Sequence, residues 1–160
     1  MNTTISEEQC CPKFIPEDWD SITFNWSEKK FVKTRVFTFM YIPIGFVKVI
    51  TKAYIKITEA GAETDNWMCL SDHTSLWNMD LYIAVNKEVP GAENLNLSGS
   101  FYCKVYEGSY NDTGKWHKDF KEVLQSKGKK AVKTYEWYTT CPKCAKKYGK
   151  NYVALFAKIS

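Results

Sequence analysis

The residues best able to do chemistry are three carboxylates set among rings. Read as a strand, Val132–Tyr138 alternates so that Val132, Thr134, Glu136 and Tyr138 share a face, and the run around Met79 groups Asp80, Tyr82 and Ala84. A third run ends the apolar face Phe101, Cys103, Val105 with Glu107. A carboxylate partly desolvated by neighbouring rings serves as general base toward water or as general acid toward a leaving group. A tyrosine hydroxyl on the same pleat donates to a developing oxyanion. Candidate catalytic residues are therefore Glu107, Glu136 and Tyr138. Taken singly, each acid reads more readily as the solvent-facing end of a half-buried strand. Around them, Trp67, Trp77, Asp80, Tyr82, Tyr135 and Trp137 are candidate contacts for a flat ligand, against the commoner use of such rings as core. Trp116 belongs to the core, since it shares a helical face with Phe120 and Val123.

The cysteines form a competing constellation. Cys141-Pro142-Lys143-Cys144 has the spacing that lets two thiolates meet one zinc ion, and Cys10-Cys11 would complete a four-sulfur site if the N-terminal arm docks nearby. Lysines 143, 146 and 147 would also favour a redox-active thiolate there. Against this, adjacent cysteines rarely ligate one ion, and no histidine is close in sequence. Cys69 and Cys103 sit in apolar strands and read as buried small hydrophobes. His73 reads as part of a polar loop, Ser71–Ser75, and His117 as a peripheral residue of a helix. No phosphate-binding glycine loop, His-Glu-x-x-His or dinucleotide fingerprint is present, and no cofactor or metal is expected.

The elements that position these groups follow from local pattern. The first thirty residues show no sustained period and read as an ordered arm whose Trp19 and Trp26 dock on the body, leaving residues 31–160 as the binding domain. Phe31–Tyr41 is β-branched and aromatic, a strand. A helix follows Pro43, with Ile44, Val47, Tyr54 and Ile57 as its apolar face and Gly61 as its stop. Trp67–Leu70 and Met79–Val85 are strands. The second half repeats these signals: strand Ser100–Tyr106, a helix capped by Asp112 with Trp116, Phe120, Val123 and Leu124 inward and Gly128 at its end, then strands Val132–Thr139 and Tyr152–Ile159. The expected fold is α+β, two β-α-β-β repeats pairing around a cleft.

Composition narrows the function. The 160 residues are 44% hydrophobic and 25% charged, the range of a single globular domain. Six Trp, ten Tyr and nine Phe bring aromatics to 16%, an excess suited to a cavity for flat apolar ligands. The net charge of +4 comes almost wholly from lysine, with Arg35 the sole arginine, which argues against base readout and a nucleic-acid partner. No apolar run approaches membrane-spanning length and Met1–Glu8 is polar and acidic, so a cytoplasmic protein with reduced thiols and no membrane partner is expected, monomeric or a homodimer.

The two β-α-β-β halves, the stretch Lys104–Tyr110 (KVYEGSY) entering a helix with Trp116, and the strand Tyr135-Glu136-Trp137-Tyr138 resemble the GyrI-like superfamily of small-molecule-binding domains, built of tandem SHS2-type units. The flanks CCPKF and YTTCPKCAKKYGKNY, with SLWNMDLYIAV and VPGAE, resemble its stand-alone branch, whose wider group is associated with hydrolysis of cyclopropane-bearing DNA-alkylating natural products. The resemblance implies an antiparallel sheet with two helices on one face and, on the other, a cleft lined by aromatics and an acid. Its acid-x-Tyr pattern carries over to Glu136 and Tyr138, and Asp80-x-Tyr82 offers a second such pair. It implies a metal-independent hydrolase of electrophilic xenobiotics. The alternatives are a non-catalytic drug binder or sensor, and a zinc- or redox-dependent protein using Cys141 and Cys144.

Overall fold

A computed structural model describes residues 13–139 and 149–160. Along the chain run β1 (Ile22–Phe39), β2 (Ile42–Pro43), α1 (Phe46–Glu59), β3 (Thr64–Ser75), β4 (Asn78–Val85), β5 (Glu93–Glu107), α2 (Thr113–Ser126), β6 (Ala131–Tyr138) and β7 (Tyr152–Ile159). The architecture is α+β, mostly antiparallel strand with two helices. Two compact units divide it: Asn25–Ser100, and the residues up to Phe24 together with Phe101–Ser160. The chain changes unit within β1 and again within β5.

In the Asn25–Ser100 unit the strand order is β2-β1-β4-β3. Register in the β1–β4 pair sets Lys33 opposite Tyr82 and Arg35 opposite Asp80. One face of this sheet, carrying Val32, Val36, Leu81 and Ile83, packs on Ala53, Ile57 and Ile50 of α1. The helix begins after Gly45, whose φ of 69° is a left-handed conformation, so Ile44 precedes it and Val47 falls at the edge of the packed face. Both are exposed, against their expected place in the core. The expected loop Ser71–Ser75 is strand instead, because pairing with β4 continues through Asp72 opposite Asp80 and His73 opposite Met79. Polar side chains are accommodated at that hairpin end, where Asn78 Nδ2 donates to Thr74 Oγ1 at 2.7 Å.

In the second unit the order is β6-β7-β5. The inner face of α2 is Trp116, Phe120 and Leu124, packed on Tyr102, Val153, Leu155 and Ala157, with Val123 partly buried beside them, as the helical period predicts. Asp112 holds the N-cap position, yet its side chain makes no capping bond and ion-pairs with Lys115 at 3.7 Å. Strand β1 begins at Ile22, inside the stretch expected as an arm, and the described residues before it pack on this unit: Asp20 Oδ1 accepts from the Val105 amide at 2.9 Å, and Phe14 is buried.

Cys103 is buried and Cys69 half-buried, both as free thiols. Desolvation pushes the Cys69 thiol from 9.0 up to about 12 and raises Cys103 further. Both groups stay neutral near pH 8, where the unfolded chain begins to ionise, so their contribution to stability is full below about pH 9 and declines as pH rises toward 12. Alkylation at pH 8 followed by peptide mass spectrometry should leave Cys69 and Cys103 unmodified in folded protein and label both after denaturation. Labelling of either in the folded state would show its strand to be open.

Candidate functional site

Alternation on β6 decides which groups meet. Glu136 pairs with Leu155 and Tyr138 with Val153, and both partners belong to the cluster packed on α2. Glu136 and Tyr138 therefore face the helix, while Tyr135 and Trp137 face away. On the helix side the nearly buried Glu136 carboxylate has one oxygen on His117 Nε2 and accepts the Tyr138 hydroxyl on the other. A carboxylate with Tyr138 donating to it is an acceptor toward its second neighbour, so His117 donates Nε2–H to it. Burial, and then the Glu136 charge and hydrogen bond, push the Tyr138 phenol up, so it remains a donor through the neutral range. The histidine side chain is 36% exposed, which gives water access to the imidazole.

The loop before α2 completes this arrangement. Tyr110 stands edge-on to Tyr138, ring centroids 5.6 Å apart. Its turn, Tyr110–Asp112, is held by Ser109 Oγ accepting from the Asn111 amide at 3.2 Å. Gly108 enters that turn with φ of 144°, and a Cβ there would sit 3.3 Å from the Trp116 ring, so any other residue would be strained and would crowd that ring. Asn151 Nδ2 donates to the Gly108 carbonyl at 2.8 Å, tying the turn to the residue before β7.

The other face of β6 is filled. Trp137 is buried, with the Trp19 ring at 4.9 Å, Phe14 at 5.3 Å and Phe156 at 6.3 Å. Tyr135 is buried with Phe101 at 6.4 Å. Both expected ligand contacts are therefore packed against protein rings, Trp137 largely against those of Trp19 and Phe14. Glu107 is exposed at the end of β5 and lacks the desolvation that its expected base role needs.

Asp80, Tyr82, Trp67 and Trp77 all lie in the Asn25–Ser100 unit. Asp80 is buried on the sheet face turned from α1, with Lys33 Nζ and Arg35 Nε each 3.6 Å away and Asn78 Nδ2 donating at 2.9 Å. Tyr82 is buried beside it under Lys33 Nζ, 5.9 Å from the ring centre. Trp67 is half exposed at an irregularity in β3, where Asn66 and Trp67 both have positive φ, and packs on Tyr54 of α1 at 5.7 Å. Trp77 is half exposed in the β3–β4 turn against Phe39 at 5.5 Å. A cavity of 310 Å³ in this unit lies between β1 and α1, lined by Val32, Thr34, Val49, Lys52 and Lys56 among others, and none of the expected site residues reaches it.

Sequence reasoning missed His117. Nothing in its helix marks it: its partner is 19 residues away on β6, and only the folded register joins them. His73, expected in a loop, is in β3 with its ring edge-on to Tyr41 at 5.6 Å. Among the described residues no group of three or more His, Cys, Asp or Glu is placed to hold a metal ion. Cys10, Cys11, Cys141 and Cys144 lie outside the described residues.

A family model described as Bacterial hydrolase matches residues 1–159. No curated protein matches the chain. Among solved structures, the EcmrR C-terminal domain aligns with a TM-score of 0.68 at 10% identity, over 87% of this chain and 96% of that one. EcmrR in its complex with DNA aligns at 0.66 and 10% identity, over 87% of this chain and 56% of that one. An uncharacterized conserved protein from Listeria innocua aligns at 0.63 and 11% identity, over 89% and 94%. The fold is GyrI-like, as the sequence resemblance implies.

Proposed function

The chain belongs to the bacterial hydrolase family, and from that premise we infer that it binds a flat, largely apolar small molecule and hydrolyses it, the substrate being an electrophilic xenobiotic of the cyclopropanoid type. The observation that carries this reading is the Glu136 carboxylate held between His117 and Tyr138 beside solvent. Glu136 orients the imidazole and stabilises the imidazolium that forms when Nδ1 takes a proton from water. Tyr138, committed to Glu136, positions that carboxylate. This replaces the role in which Tyr138 polarises the ligand oxygen directly. The exposed ring of Tyr110 supplies an apolar platform at the mouth of the group.

For a cyclopropane fused to a dienone, the water oxygen forms a bond to the least substituted ring carbon as the strained carbon–carbon bond breaks. The electron pair passes through the dienone to its carbonyl oxygen, which becomes a phenolate. The proton taken by His117 is returned to that phenolate, so the product is substrate plus water.

The test is incubation of a cyclopropane-bearing aromatic alkylator with substoichiometric, chelator-treated protein, following ring-opened product by mass spectrometry. Many turnovers per chain are expected. Binding without turnover would replace the hydrolase reading by a sequestering one. Neither binding nor turnover would remove both.

A further inference from the structure

One end of the Asn25–Ser100 unit is apolar and uncovered among the described residues. It is built from the β1–β2 hairpin, the start of α1 and the β3–β4 turn. Met40 is 60% exposed, Ile42 63% and Val47 73%, with Phe37, Phe39 and Trp77 exposed around them. A contiguous patch of this kind marks a contact surface rather than scattered surface apolarity. The hairpin is well held: the Tyr41 amide donates to the Leu76 carbonyl at 3.1 Å and the Thr38 amide to the Trp77 carbonyl at 2.9 Å.

The turn residues strengthen the case. Phe39 pairs with Ile42, so Met40 and Tyr41 are the two central residues of a tight hairpin, with φ of 47° and 70°. Such a turn favours Asn-Gly, because Cβ crowds the backbone carbonyl oxygen at positive φ, a cost that Gly lacks and that Asn offsets with local hydrogen bonds. Large apolar groups stand at the tip against the local conformational preference, as they do at contact sites whose function outweighs strain.

Charge selects the partner. From Val36 to Thr58 there is no acidic residue. Lys48, Lys52 and Lys56 recur every fourth residue of α1 and are exposed, forming one cationic stripe beside the exposed Val47 and Ile55. The geometry points to a docking surface for an anionic lipid membrane: the apolar tip enters the headgroup boundary and the lysine stripe lies along it. A symmetric contact with a second copy would bring like stripes together, which the charge disfavours. No helix of the described residues is long and apolar enough to span a bilayer, so the contact is interfacial. This departs from the sequence expectation of no membrane partner, and is independent of the hydrolase reading.

Sedimentation of the full chain with phosphatidylcholine vesicles, with and without phosphatidylserine, tests it. Binding should require phosphatidylserine and fall as salt rises. Lys48→Gln and Lys52→Gln should each weaken it about fivefold, and Ile42→Ser about tenfold. The pair Met40→Asn with Tyr41→Gly suits the turn, so the fold by circular dichroism is retained while vesicle binding drops about tenfold. Equal binding to both vesicles, no binding, or indifference to these variants would overturn the proposal. So would a dimer by light scattering that Ile42→Ser dissociates, because the patch would then be the seat of a second copy.

Discussion

Glu136→Gln is expected to lower turnover of a cyclopropane-bearing substrate by about a hundredfold to ten-thousandfold, the range of a lost general-base function. Glutamine keeps the size of the side chain and one acceptor oxygen, but it carries no charge to stabilise an imidazolium and its amide donates where Glu136 accepts. One of its two neighbours, His117 or Tyr138, then meets a donor where an acceptor stood. His117→Ala should match that loss, and the double variant should be no slower than either, since residues acting as a unit are not additive. Tyr138→Phe removes one hydrogen bond to the carboxylate, worth about 1.5–3 kcal/mol, so its effect is smaller, about tenfold to a hundredfold. Single-turnover kinetics with each variant, alongside ligand affinity, separates chemistry from binding. Wild-type rates in Glu136→Gln would end the assignment of this cluster, whatever the family does elsewhere.

Trp137→Ala should destabilise the protein by about 3–5 kcal/mol, the cost of emptying an aromatic site in a packed core. The large figure follows from its neighbours: Trp19, Phe14 and Phe156 all approach its ring, and each loses contact when it is removed. Trp19→Ala opens the same cluster from the arm side at a lower cost, because Trp19 is only half-buried. Combined with Phe14→Ala it should give less than the sum, since the two rings stack on each other at 6.5 Å and share the Trp137 surface. Denaturant midpoints measure these effects. A change below about 1 kcal/mol for Trp137→Ala would show that the arm does not close on this face in solution. The outcome bears on function as well, because Trp137 stacks on a ligand only where Trp19 and Phe14 have left it.

Local pattern carried the elements a long way. The spacing of Trp116, Phe120 and Leu124 specified the inner face of α2, and Gly61 and Gly128 marked the ends of both helices, with φ of 67° and 66°. These are interactions between residues a few positions apart, so a single chain reports them. The alternation that groups Glu136 with Tyr138 was equally legible, because it needs only an extended backbone. Its complement was not. A strand has two faces, and nothing in Tyr135-Glu136-Trp137-Tyr138 says which one turns to a helix. Packing of Leu155 and Val153 on α2 decided it, sending the acid toward His117 and the tryptophan toward the arm.

The same limit explains the rest. Ile44 and Val47 have the spacing of core residues, yet Gly45 starts the helix after Ile44 and leaves both outside, which turned a predicted core into an exposed patch. His73 sits in a polar run that pairing with β4 carries on as strand. The amino-acid sequence by itself determined periods, helix stops and the α+β class. The tertiary structure alone decided faces and partners, because those depend on contacts between residues far apart in the chain, where burial and register outweigh local preference.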